Sequence, residues 1–136
     1  ETILDNSSDK SITHVNEKVK IIIFSDVWLD RPDVIHSLSK QFESFSQLPK
    51  PPYLFILCGN FTSQENLSQF SVLTDGLKTL SKLKQRYNCL NESHMVIIPG
   101  PNDPGLCSFL PRDVIPRSLT ETINNLIFTT NPVRCD

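Results

Sequence analysis

At 136 residues the chain amounts to about one domain. A formal net charge of −2 announces no basic surface for nucleic acid. No stretch approaches the ~18 consecutive apolar residues of a membrane-spanning helix, so no membrane partner is expected.

Residues 1–18, "ETILDNSSDKSITHVNEK", are polar and aperiodic. They read as a tail or linker and not as a signal peptide. "VKIIIFSD" predicts a strand over 19–25, and its continuous apolar run suits a parallel strand covered on both faces. "RPDVIHSLSKQFESFSQL" predicts a helix. Asp30 is its expected cap, Pro32 sits in the first turn, and Val34, Leu38, Phe42 and Phe45 make one stripe. "PKPP" ends it and leads into "YLFILCG", a second strand over 53–58.

A longer helix is expected over 65–87, with Phe70, Leu73, Leu77, Leu80 and Leu83 or Lys84 at helical spacing. Lys78, Lys82, Lys84 and Arg86 crowd its second half, where cations suit the helix dipole and read as a solvated face. "HMVIIPG" predicts the third strand, "RSLTETINN" a short helix, and "LIFTTNP" a fourth strand. Alternating strands and helices predict an α/β fold with a mostly parallel sheet and flanking helices. All four strands look buried, so the sheet is expected to need cover on both faces and a further strand on an edge.

Cys58, Cys89, Cys107 and Cys135 are scattered without a C-x-x-C pair, which argues against a zinc knuckle. Reduced thiols are the expectation, with Cys58 a small core residue. "NSS", "NFT", "NLS" and "NES" fit the glycosylation sequon, but a chain rich in Asn and Ser produces such matches by chance. His14, His36 and His94 lie off the strand-end loops and are not read as ligands.

Open α/β sheets place their sites at the carboxyl ends of strands. There the chain carries "SDVWLD", "CGNFTS", "PGPNDPG" and "TTNPVR". These loops resemble those of the calcineurin-like metallophosphoesterases. That family has Asp-x-His after the first strand, Gly-Asp-x-x-Asp after the second and Gly-Asn-His-Asp/Glu after the third. Two metal ions there need one bridging carboxylate and flanking carboxylate, imidazole and amide ligands.

By this resemblance the former metal-site positions are Asp26, Trp28, Gly59, Asn60, Gly100, Pro101, Asn102 and Asp103. Asp26 and Asp103 remain as carboxylates. Trp28 stands at a ligating His, and an indole N–H only donates. Asn60 stands at the bridging Asp and lacks its charge. Pro101 replaces the ligating Asn, and Asn102 replaces the His of the transition state. Asp26 also fits a plain turn residue, and Trp28 fits either a partner anchor or a plug in the old cavity. Asn60 and Asn102 suit local backbone bonding in turns. The "PGPNDPG" loop is then expected to be held by its prolines and glycines.

Such decay resembles the B subunits of the eukaryotic replicative DNA polymerases. "FSDVWLD", "FILCGNF", "VIIPGPNDPG", "LPR" and "IFTTNPVRC" look like landmarks of the family's epsilon branch rather than its alpha or delta branches. The resemblance covers residues 19–136. It implies the N-terminal part, the first half of the layered sandwich, of a degenerate phosphoesterase-like domain, which in that family follows a helical and an OB domain. It implies a non-catalytic accessory subunit in the nucleus, without a cofactor and meeting DNA only indirectly. The implied partners are the C-terminal metal-binding domain of the epsilon catalytic subunit and the other holoenzyme subunits. Trp28, Asp103 and Arg112 are the candidate contacts, with Asp103 and Arg112 expected on an exposed rim. The alternative is an active calcineurin-like metallophosphoesterase with an atypical ligand set.

Overall fold

A computed structural model describes residues 18–63, 70–104 and 109–134. The expected tail, apart from Lys18, lies outside the described residues, as do His14, Cys107 and Cys135. Strand β1 (Ile21–Ser25) leads through helix α1 (Pro32–Ser46) to β2 (Leu54–Cys58). Helix α2 (Phe70–Arg86) and a 3-10 turn (Asn88–Glu92) lead to β3 (His94–Ile98). A one-turn helix, α3 (Arg117–Thr120), precedes β4 (Ile127–Phe128).

The four strands form one parallel sheet in the order β1-β2-β3-β4. Each step moves the chain one place in the same direction. Right-handed crossovers then deliver successive helices to the same face. That face carries Phe24, Phe55, Leu57, Met95 and Ile97, which join Leu38 and Phe42 of α1 and Leu77 and Leu80 of α2 in one core. Phe42 and Phe45 both meet the Phe55 ring edge-on, with centroids 5.6 Å apart.

The expectation of cover on both faces is not met among the described residues. The other face presents Ile21, Ile23, Leu54, Ile56, Val96 and Ile127 in register. Val96, in the middle of the sheet, is buried by its neighbours, but Ile23 on the β1 edge is 65% exposed. An apolar run cannot report which of its two faces is covered, because side chains alternate whatever packs on them. Cys58 shares this open face and is only half-buried; it and Cys89 are free thiols.

Four smaller expectations also change. Helix α1 begins with Arg31 at its cap position, without a side-chain cap and with Pro32 in its first turn. The Asp30 carboxylate instead accepts the Ser63 N–H at 2.9 Å and the Ser63 hydroxyl at 2.5 Å. Phe70 is exposed, while Lys84 is buried and donates to the Asn125 carbonyl at 3.0 Å. Burial lowers the Lys84 pKa. The helix expected over "RSLTETINN" closes after four residues. Asn125 is engaged elsewhere, accepting from Ser81 Oγ at 2.6 Å and donating to the Ser81 carbonyl at 3.0 Å. The fourth strand is two residues long, since Asn131 leaves it to pair with Arg112 in an isolated antiparallel bridge.

Candidate functional site

The carboxyl ends of adjacent parallel strands bring three loops together. Gly59 and Asn60 leave β2, the 99–103 segment leaves β3, and Thr129 to Asn131 leave β4. Asp26 leaves β1 with φ 52°, the left-handed region, and its carbonyl accepts the Trp28 N–H at 3.0 Å. The Gly59–Asn60 peptide is cis, as are Leu110–Pro111 and Asn131–Pro132.

Asp103 is the hub. Its Oδ1 accepts the Phe61 N–H at 2.9 Å, and its Oδ2 accepts the Gly100 N–H at 2.7 Å. The Asn60 side-chain oxygen accepts the Asn102 N–H at 2.9 Å. The Asn131 amide donates to the Pro99 carbonyl at 2.9 Å. The Arg112 guanidinium donates from two nitrogens to the Pro101 and Asp103 carbonyls. Its Nε is buried without a hydrogen-bond partner among the described residues.

The glycines serve close approach. A Cβ on Gly59 would collide with Asp103 Oδ2 and sit 2.6 Å from the Gly100 nitrogen. A Cβ on Gly100 would sit 2.6 Å from the Asn60 nitrogen. No described glycine has positive φ, so room rather than backbone freedom explains these two residues.

The expectation of Asp103 and Arg112 on an exposed rim, as partner contacts, is corrected here. Both are 3% exposed and face inward, so they hold the loops and offer no contact surface. A charge that forks onto two backbone carbonyls is a clamp inside the chain. The "PGPNDPG" loop is therefore held by buried polar bonds as well as by its prolines. Trp28 is 37% exposed, which leaves much of its ring outside any cavity. Pro101 and Asn102 are exposed at the loop tip.

Burial raises the Asp103 pKa, against smaller lowering by the Phe61 and Gly100 N–H groups and by Arg112; the Asp26 charge raises it further. Burial also raises the Cys58 thiol, with a second contribution from Asp26.

The donor set does not fit the cation pair that the fold resemblance implies. Both Asp103 oxygens are engaged by backbone amides, and the Asn60 oxygen is engaged by Asn102. Trp28 has no lone pair to offer. Among the described residues no three of His, Cys, Asp and Glu converge as a group that could hold a metal ion.

The loop-clasping roles of Arg112 and Asn131 have no signal in the sequence. Their partners are backbone carbonyls, which leave no trace in side-chain types. The "LPR" and "TTNP" landmarks mark the places without revealing the bonds.

The chain is 39% identical over 131 residues to human DNA polymerase epsilon subunit 2, covering 92% of this chain and 24% of the relative. It is 36% identical over 121 residues to the DNA polymerase epsilon B subunit of Arabidopsis thaliana, covering 83% and 23%. The DNA polymerase epsilon B subunit of Saccharomyces cerevisiae is 31% identical over 134 residues, covering 84% and 19%. The chain thus spans about a quarter or less of the length of these relatives. The family of DNA polymerase alpha/epsilon B subunits matches residues 21–136. With its parallel strands and helices on one face, the chain belongs to the DNA polymerase alpha/epsilon B-subunit family.

Proposed function

We propose that the protein carrying this chain is a non-catalytic accessory subunit of DNA polymerase epsilon, acting in the nucleus during DNA replication. In this reading it binds the C-terminal metal-binding domain of the catalytic subunit and scaffolds the other holoenzyme subunits. It meets DNA through the complex. The single observation that carries the non-catalytic part is Asn60, a neutral amide at the position of the bridging carboxylate, whose side-chain oxygen accepts the Asn102 N–H at 2.9 Å. The names of the relatives carry the polymerase part.

Two measurements test it on the full-length protein. Co-purification with the C-terminal domain of the catalytic subunit tests the scaffold, and failure to recover that complex overturns it. Mn²⁺-dependent cleavage of a generic aryl phosphate tests the loss of catalysis. Turnover well above a metal-free control would restore the active phosphoesterase with an atypical ligand set.

A further inference from the structure

We propose that the groove between α1 and α2 is a docking site for an acidic peptide segment of a partner protein. It is a cleft of about 500 Å³ on the helical layer, lined also by Leu29 and Asp30 of the loop after β1. Leu29, Ile35 and Leu83 line it with apolar surface, and Asp30, His36, Lys82 and Arg86 line it with polar groups. Lys78, Lys82 and Arg86 recur at i, i+4 and i+8 along α2, so they share one side of that helix. All three are exposed.

Charge complementarity selects the occupant. Lys82 and Arg86 have no ion-pair or side-chain hydrogen-bond partner among the described residues. The carboxylate that lines the groove, Asp30, is engaged by the Ser63 N–H and hydroxyl. Lys82 and Arg86 against Asp30 leave the groove lining one positive charge in excess, within a chain of net charge −2. Lys84, the fourth base of the helix, is buried against Asn125, which separates a structural cation from the three exposed ones.

An acidic peptide suits this site better than nucleic acid. Two lining bases, with Lys78 one turn further along the helix, neutralise few phosphates, and phosphate contacts weaken steeply with salt. The apolar lining gives a peptide somewhere to place an aliphatic side chain between its carboxylates, which nucleic acid does not need. The inference does not rest on the polymerase reading and stands if that reading fails.

Fluorescence anisotropy on the full-length protein tests it. The probe is a fluorescein-labelled peptide with a Glu-Glu-Leu repeat. The comparisons are the same repeat built with Lys and a single-stranded oligonucleotide. The acidic probe should bind, and the Lys repeat should not. Lys82→Glu with Arg86→Glu should weaken binding by about tenfold or more, since exposed charges act chiefly on encounter and salt dependence. Lys18→Glu with Lys20→Glu, outside the groove, should leave it unchanged. Circular dichroism should show unaltered melting in both double variants. No binding of the acidic probe, equal binding of the Lys repeat, tighter binding of the oligonucleotide, or indifference to the groove variant would each overturn the proposal.

Discussion

The Asp103 carboxylate accepts the Phe61 amide proton across 42 positions of sequence, at 2.9 Å. One buried side chain thereby ties the loop after β3 to the loop after β2. A second bond, from the Gly100 N–H at 2.7 Å, closes the same loop on itself. Both amides would otherwise be buried donors without partners, and such groups are costly to leave unmet.

Asp103→Ala should therefore destabilise the full-length protein by about 2–5 kcal/mol, from two unmet donors at about 1–3 kcal/mol each, less relaxation. Denaturant unfolding measures it. A loss under about 0.5 kcal/mol, the size of an ordinary surface change, would contradict the hub role.

The pH dependence follows from the direction of the Asp103 shift. Its folded-state pKa lies above its ordinary value of 3.8. The folded state then holds the proton more tightly than the unfolded state. This contribution to stability is fully present below 3.8 and is lost as pH rises through the folded value. The stability of wild type minus that of Asp103→Asn should fall with rising pH over that window. A difference that grows in favour of wild type would reverse the sign and refute the burial argument.

Gly59→Ala should cost about 1–3 kcal/mol, the usual penalty for overpacking. Its Cβ would meet Asp103 Oδ2, on a carboxylate held by the Phe61 and Gly100 amides, and the backbone nitrogen of Gly100. Thermal melting measures it, and an unchanged melting temperature would show that the two loops relax around the added methyl.

Arg112→Lys keeps the charge but cannot fork onto two carbonyls. We expect a stability loss of about 1–3 kcal/mol, as for a buried acceptor left unmet. Asp103 or Arg112 charge reversal should accordingly damage folding before it reports on any interface. Hydrogen exchange of the Gly100, Asn102 and Asp103 amides would show it, and unchanged protection would argue that the prolines alone hold the loop.

On the open sheet face, Ile21→Lys with Ile23→Glu should reduce self-association of an isolated 18–134 segment. Exposed apolar edge strands promote pairing, and charges there oppose it. Light scattering reads the outcome, and unchanged aggregation would place the sticky surface elsewhere.

Much of the architecture is legible in the residues themselves. Leu38 and Phe42 at helical spacing, and "FILC" between "PKPP" and "GN", state their periods locally. Periodicity is a property of neighbouring side chains, so a reader of the chain can recover it. The replacement of donor groups by Trp28, Asn60 and Pro101 is likewise visible, because metal binding depends on side-chain type.

The tertiary structure alone decided three other matters. It put Asp103 and Arg112 inside, where their charge by itself suggests a rim. It put the helices on one face and left Ile21 and Ile23 open. It separated Lys84 from Lys78, Lys82 and Arg86. In each case the deciding partner is far along the chain or is a backbone group. A charged residue reads the same in sequence whether its partner is water or a carbonyl. Only the path of the chain sets which one it meets, and with it whether the charge clamps loops or faces a partner.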